Sequence, residues 1–147
     1  MNIQRAAALL AALTFAAHAV PTAAAVTIGG IRYSIKEVHI AATVGEDMME
    51  QRASGEYIIV RREVANVGDK PATVSSSDFH LVAGGTTFDS ASEALMAVQG
   101  AFFLTTINPG TARVGTLLFD VPAHSAFQKY SLEVYGNGGS DPTYMRL

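Results

Sequence analysis

Apolar and polar positions alternate in short runs over most of the chain. The runs break about every ten residues on Gly, Pro, Asn or Asp, the spacing of an all-β sandwich or barrel. Ile31 to Ile35 alternates cleanly, and Val38-His39-Ile40 alternates on the opposite parity. A parity switch at Lys36-Glu37 means a bulge or a strand that crosses between sheets, because side chains on a strand repeat every second residue. Gly45 to Gly55 is polar, acidic and Met-bearing, and reads as a long loop or a single helical turn. Tyr57-Ile58-Ile59-Val60 is apolar at every position, the mark of a central strand covered on both faces at one end.

The second half continues in the same style. Val67 to Pro71 is a turn, Phe79 and Leu81 share one strand face, and Ala83-Gly84-Gly85 returns the chain to Thr86-Thr87-Phe88. Ser90 to Gln99 is the one helix-like stretch, with a start at Ser92 and Leu95 and Val98 on one side. Ala101 to Ile107 reads as a strand closed by Asn108-Pro109-Gly110, a type II turn signal. Gly115, Leu117, Phe119 and Val121 then share a face, Leu132 and Val134 another, and Thr143 to Leu147 is a last strand or a frayed end. No strand–helix–strand alternation occurs, so the expected fold is an antiparallel β-sandwich of seven or eight strands.

The first 25 residues belong to a different pattern. Arg5 precedes an Ala- and Leu-rich stretch from Ala6 to Ala17, too short to span a bilayer as an anchor. Small residues follow at Ala17-His18-Ala19 and Ala23-Ala24-Ala25, either of which suits signal peptidase. The expected organisation is a signal peptide at 1–25 and one domain at 26–147, exported to the periplasm or the medium, with cleavage after Ala19 or Ala25 left open.

Composition narrows the chemistry. The chain has 147 residues and no Cys, which excludes disulfides, thiolate metal sites, a cysteine nucleophile and a lipid anchor on an N-terminal Cys. A net charge of -3 gives no footprint for nucleic acid. Arg61-Arg62 is an isolated basic pair whose side chains point to opposite strand faces. No Gly-x-Ser-x-Gly elbow or Ser-x-x-Lys is present, so a small exported hydrolase would need His39, His80 or His124 to meet a serine in space. For metals, Met48 and Met49 with His39 form a soft thioether–imidazole set suited to Cu(I), and a Met/His copper carrier is an alternative reading. Glu46, Asp47 and Glu50 fall on one side of any helical turn in their loop but lack a calcium-loop pattern. No cofactor motif is present; Gly136-Asn137-Gly138-Gly139 leads to Asp141-Pro142 rather than to a phosphate-receiving helix.

The run Glu56 to Pro71, with Asn66-Val-Gly68 at its end, leads into Ser77-Asp78-Phe79-His-Leu81. A second block joins Asn108-Pro109-Gly110 to Gly115-Thr-Leu-Leu-Phe119-Asp-Val-Pro122. Together these blocks resemble the DUF4352-type immunoglobulin-like domains of bacterial exported proteins, related in fold to a mycobacterial secreted antigen. The resemblance spans about residues 30–136. It implies an immunoglobulin-like sandwich outside the cytoplasm and no catalytic residue. The expected role is therefore non-catalytic, a binding or structural domain with an unknown protein partner or a second copy of itself. The contact candidates are Glu46, Asp47 and Glu50 in the 45–55 loop, Asn137 in the 137–142 loop, and whichever of Phe102 and Phe103 faces outward.

Overall fold

The computed structural model describes residues 25–136, 139 and 141–147. The proposed signal segment, up to residue 24, and Asn137 lie outside the described residues. The described residues form ten strands: β1 (Val26–Ile28), β2 (Ile31–Val44), β3 (Gln51–Asn66), β4 (Ala72–Ser75), β5 (Phe79–Ala83), β6 (Thr86–Asp89), β7 (Leu104–Ile107), β8 (Ala112–Val121), β9 (Ser131–Val134) and β10 (Thr143–Arg146). One four-residue helix, α1 (Ser92–Leu95), follows β6. The strands form two four-stranded antiparallel sheets, ordered β1-β2-β3-β8 and β10-β9-β5-β6, and a two-stranded ribbon β4-β7. The two strands beyond the expected eight are β1 and β4. Each is too short to establish an alternation of its own, and pairing on β2 and β7 defines them.

The sheets face each other over one core. Ile58, Val60 and Val64 of β3 and Leu117, Phe119 and Val121 of β8 meet Phe79, Leu81, Leu132 and Val134 of the opposite sheet. The parity switch in β2 is a bulge. Ile35 pairs with Arg62 and Glu37 with Arg61, so Lys36 is the extra residue, and Val38 again points inward. The outward side of the β2-β3-β8 sheet is covered at one end by α1. Ala94 and Leu95 pack there on Val44, Tyr57 and Leu118, which explains the uninterrupted apolar run at Tyr57–Val60.

Two expectations change. The 45–55 segment is not one loop: a 3₁₀ turn occupies Asp47–Met49, and from Gln51 the chain is already in β3. Asp120 makes this possible, because its carboxylate accepts from the amides of Ser54 (2.7 Å) and Gly55 (3.1 Å) where the β2–β3 pairing is irregular. The helix expected over 90–99 shrinks to Ser92–Leu95, since Ala91 provides no side-chain cap and the chain turns away to pack Val98 on the sheet.

The Asn66-x-Gly68 corner is a hydrogen-bond junction. The Asn66 amide donates to the carbonyls of Lys70 (2.7 Å) and Ile107 (2.8 Å), and its oxygen accepts from the Gly68 amide (3.0 Å). It ties the end of β3 to the β4-β7 ribbon.

Candidate functional site

A concave feature of about 660 Å³ lies between the β2–β3 turn and the segment after α1. Val44, Ile59, Ala97 and Val98 form its apolar lining, Met49 its rim, and Glu46 is its one charged lining residue. Gly45, at φ 83, brings turn and segment together: a Cβ there would stand 2.5 Å from the Met49 carbonyl oxygen and 2.9 Å from the Ala97 Cβ. Three methionines on these two segments face solvent, Met48 at 98% exposure, Met96 at 70% and Met49 at 55%. Glu46, Asp47 and Glu50 share the turn with the first two of them.

The residues of the copper reading are not assembled. His39 pairs opposite Ile59 on the outward face of β2, with its Nε2 3.0 Å from Glu37 Oε1. Six residue steps along the extended chain lead from it to Gly45, about 20 Å at the usual rise, so Met48 and Met49 cannot share an ion with it. Among the described residues no group of three His, Asp or Glu is placed to hold a metal. Nor does a hydrogen bond join a serine hydroxyl to His80, and Ser90 Oγ is buried without any such partner. His124 sits at φ 63 in an exposed turn.

His80 instead belongs to a polar row that crosses the whole second sheet. Asp89 on β6 lies opposite His80 on β5, which lies opposite Glu133 on β9, which lies opposite Tyr144 on β10. His80 Nε2 is 3.4 Å from Asp89 Oδ1, and its Nδ1 is 3.7 Å from Glu133 Oε2. The Tyr144 hydroxyl donates to Glu133 Oε1 at 2.9 Å, and this bond raises the phenol above its ordinary pKa. The Tyr135 ring meets His80 edge-on at 5.6 Å.

Of the Phe pair, Phe102 is buried and Phe103 is 40% exposed. Phe102 has a role that sequence reading missed. Its ring centroid lies 4.1 Å from the Cζ of Arg62, and the Phe79 ring lies 4.0 Å from the same atom. Arg62 is 1% exposed, and its three guanidinium nitrogens have no hydrogen-bond partner. Burial pulls it from 12.5 down to about 9, against smaller opposing effects of Tyr33 and Asp78, so it remains a cation at neutral pH. Gly115 makes room for the clamp, since a Cβ there would stand 2.8 Å from Phe102. The signal available in the sequence was the strand period, which puts Arg62 on the same face as Val60 and Val64. Arg61, on the other face, meets Glu37 at 3.8 Å.

The fold recurs in solved structures of low sequence identity. A secreted protein of Mycobacterium tuberculosis, MPT63, aligns over 85% of this chain and 91% of its own at 15% identity and a TM-score of 0.61. A functionally unknown protein from Listeria monocytogenes aligns over 84% and 80% at 11% identity and a TM-score of 0.60. A putative lipoprotein of Bacillus subtilis, ycdA, aligns over 80% of this chain but 35% of its own, at 24% identity and a TM-score of 0.56. No curated protein matches the sequence. Among the described residues no helix is long and apolar enough to cross a membrane. The family model described as "Domain of unknown function (DUF4352)" matches residues 22–142, and the chain belongs to that family.

Proposed function

We propose that residues 26–147 form a non-catalytic, exported binding module that engages a protein partner at the β2–β3 end of the sandwich. The observation that carries this reading is the methionine-rimmed groove. Exposed methionines suit a binding surface because the unbranched thioether repacks against varied apolar shapes. The acids around it set the partner's chemistry. Glu46 lines the groove, Asp47 and Glu50 flank it, and no Lys or Arg lines it. The fitting occupant is a segment that inserts an apolar side chain and carries Lys or Arg beside it. Export is supported by the signal-like N-terminal pattern and by a secreted protein and a putative lipoprotein among the structural neighbours. The non-catalytic part of the reading rests on the family resemblance, which carries no catalytic residue onto this chain.

A photo-crosslinking residue at position 48, with the same residue at Thr86 in the opposite sheet as control, tests the proposal in the native envelope. The expected result is one partner captured from position 48 alone, weakened by salt and lost with Glu46→Lys plus Glu50→Lys. Its binding segment should map to an apolar residue beside basic ones. A blank, equal capture from both positions, or capture indifferent to charge reversal would overturn it.

A further inference from the structure

The sulfur of this chain is unevenly placed. Among the described residues Met48, Met49 and Met96 face solvent, whereas Met145 is 4% exposed in the core between the sheets. Met49 lines the groove, Met48 is its neighbour, and Met96 adjoins Ala97 on the facing segment. The chain has no Cys and no Trp, so these thioethers are the softest groups that a two-electron oxidant meets. We propose that Met48, Met49 and Met96 are a reversible oxidation site, and that conversion of Met49 to its sulfoxide by a peroxide closes the groove to its partner. The proposal rests on the reading of the groove as a binding surface and adds its regulation.

The step is an oxygen transfer. A lone pair on the sulfur attacks one oxygen of hydrogen peroxide, and the S–O bond forms as the O–O bond breaks. The departing oxygen takes up the proton left on the transferred one and leaves as water. Sulfur gives up two electrons and the peroxide is reduced. A thiol-dependent sulfoxide reductase reverses the change, with the thiols oxidised to a disulfide and the oxygen released as water. The product differs from the thioether in the property that the groove uses. A thioether is a weak acceptor that enters an apolar contact at little cost. A sulfoxide oxygen is a strong acceptor, and it must give up its water to enter the same contact.

The fold tolerates the change at one end of the domain and not in the core. The turn that carries Met48 and Met49 is held by its backbone: the Met49 amide donates to the Glu46 carbonyl at 2.9 Å and the Glu50 amide to the Asp47 carbonyl at 3.2 Å. No residue of the Asp47–Met49 turn is buried. Gly45 approaches Met49 at its carbonyl and not at its side chain. Met145 lies opposite Leu132 and packs in the core, where a sulfoxide oxygen would have no water. Burial therefore keeps the damaging reaction away while exposure admits the reversible one.

The test has two readouts on the mature protein as its native host processes it. Hydrogen peroxide is added in increasing amounts, and peptide mapping by mass spectrometry locates each added oxygen. Met48, Met49 and Met96 should react well ahead of Met145, with the dispersed amide spectrum of a folded domain retained. Oxidation of Met145 in step with the others, or loss of that spectrum, would overturn the site. The second readout is a short blocked peptide, Gly-Lys-Leu-Lys-Gly, with Gly-Lys-Ser-Lys-Gly as control. Each is titrated to about 10 mM and followed at the amides of Gly45 to Glu50, Ala97 and Val98. The leucine peptide should bind the unoxidised protein saturably and at least about fivefold more weakly after peroxide. Sulfoxide reductases with dithiothreitol should restore the affinity. In Met49→Leu, whatever its own affinity, the ratio between untreated and treated protein should fall to about one, and a ratio kept in that variant would overturn the role of Met49. Equal affinity before and after peroxide would overturn the regulation alone. No binding by the unoxidised protein would overturn the groove reading, and the regulation with it.

Discussion

Replacing Arg62 by Met should leave the domain close to wild-type stability, although Arg62 is among the most buried residues in the chain. Two opposing quantities decide this. The fall from 12.5 to about 9 corresponds to about 5 kcal/mol against the charged form, at 1.36 kcal/mol for each unit. The two ring contacts, at 4.0 and 4.1 Å, return about 2 kcal/mol each in a desolvated setting. The charge is therefore a net burden of about 1 kcal/mol, close to the loss of packing when the guanidinium is trimmed to a thioether. Arg62→Met should fall within about 1–2 kcal/mol of wild type, in keeping with other buried charges replaced by apolar groups of similar volume. Arg62→Ala leaves a void between two aromatic rings and should cost about 3–5 kcal/mol. Arg62→Lys keeps a buried charge but loses the planar stack, and should be less stable than Arg62→Met. Urea unfolding of the four proteins at neutral pH, compared at a common m-value, reads these differences. A loss above about 3 kcal/mol in Arg62→Met would refute the reasoning, because it would mean that the cation is strongly held.

Alkaline pH separates two groups of the same neighbourhood. Tyr33 is raised from 10.0 to about 12, mainly by burial, so the folded state keeps its proton longer than the unfolded state and loses stability as pH rises from 10 to 12. Tyr33→Phe should gain on wild type by up to about 2–3 kcal/mol across that window in urea midpoints, and an unchanged difference would show that Tyr33 is not protected. Arg62 has the opposite sign. Its folded-state value lies below the unfolded one, so stability rises above about pH 9, and Arg62→Met should lose that rise. Asn66→Ala strands the carbonyls of Lys70 and Ile107 and should cost about 2–4 kcal/mol in the same assay. Gly115→Ala forces Phe102 off Arg62 and should cost about 1–3 kcal/mol, with the Phe102 ring resonances shifted.

The sandwich was legible because its signals are local. The parity break at Lys36, the doubly apolar Tyr57–Val60 and the inward row Leu117–Phe119–Val121 each follow from the two-residue period of a strand. What escaped depends on distant partners. Gln51 to Gly55 looks like loop until Asp120, far along the chain, satisfies its amides. The helix signal at Ser90–Gln99 was overruled by the packing of α1 on the outer sheet face. Period alone put Arg62 inside, but nothing local announced two rings from separate elements to receive it. The site residues divide along the same line. Glu46, Asp47 and Glu50 stand together because they are neighbours in sequence, whereas Ala97 and Val98 came to line the groove beside Met49 only through the fold. The spacing between His39 and the methionines was a property of strand length, and β2 runs on to Val44 before it turns.

The groove and the buried Arg62 use the sheets in different ways, and that difference constrains how the domain works. The groove is built from a turn and a post-helix segment, held together at Gly45, and its rim is flexible methionine. A surface of that kind can adapt to a partner, and its specificity rests on the acids beside it. The buried cation is the opposite case: Arg62 is held between Phe79 and Phe102, with Gly115 making room for the Phe102 ring, so its place is set inside the core. Arg62→Met should therefore leave the groove unaltered, read as unchanged backbone amide shifts over the turn at Gly45 to Glu50 and at Ala97 and Val98. Movement of those amides in a folded variant would mean that core and groove are one cooperative unit.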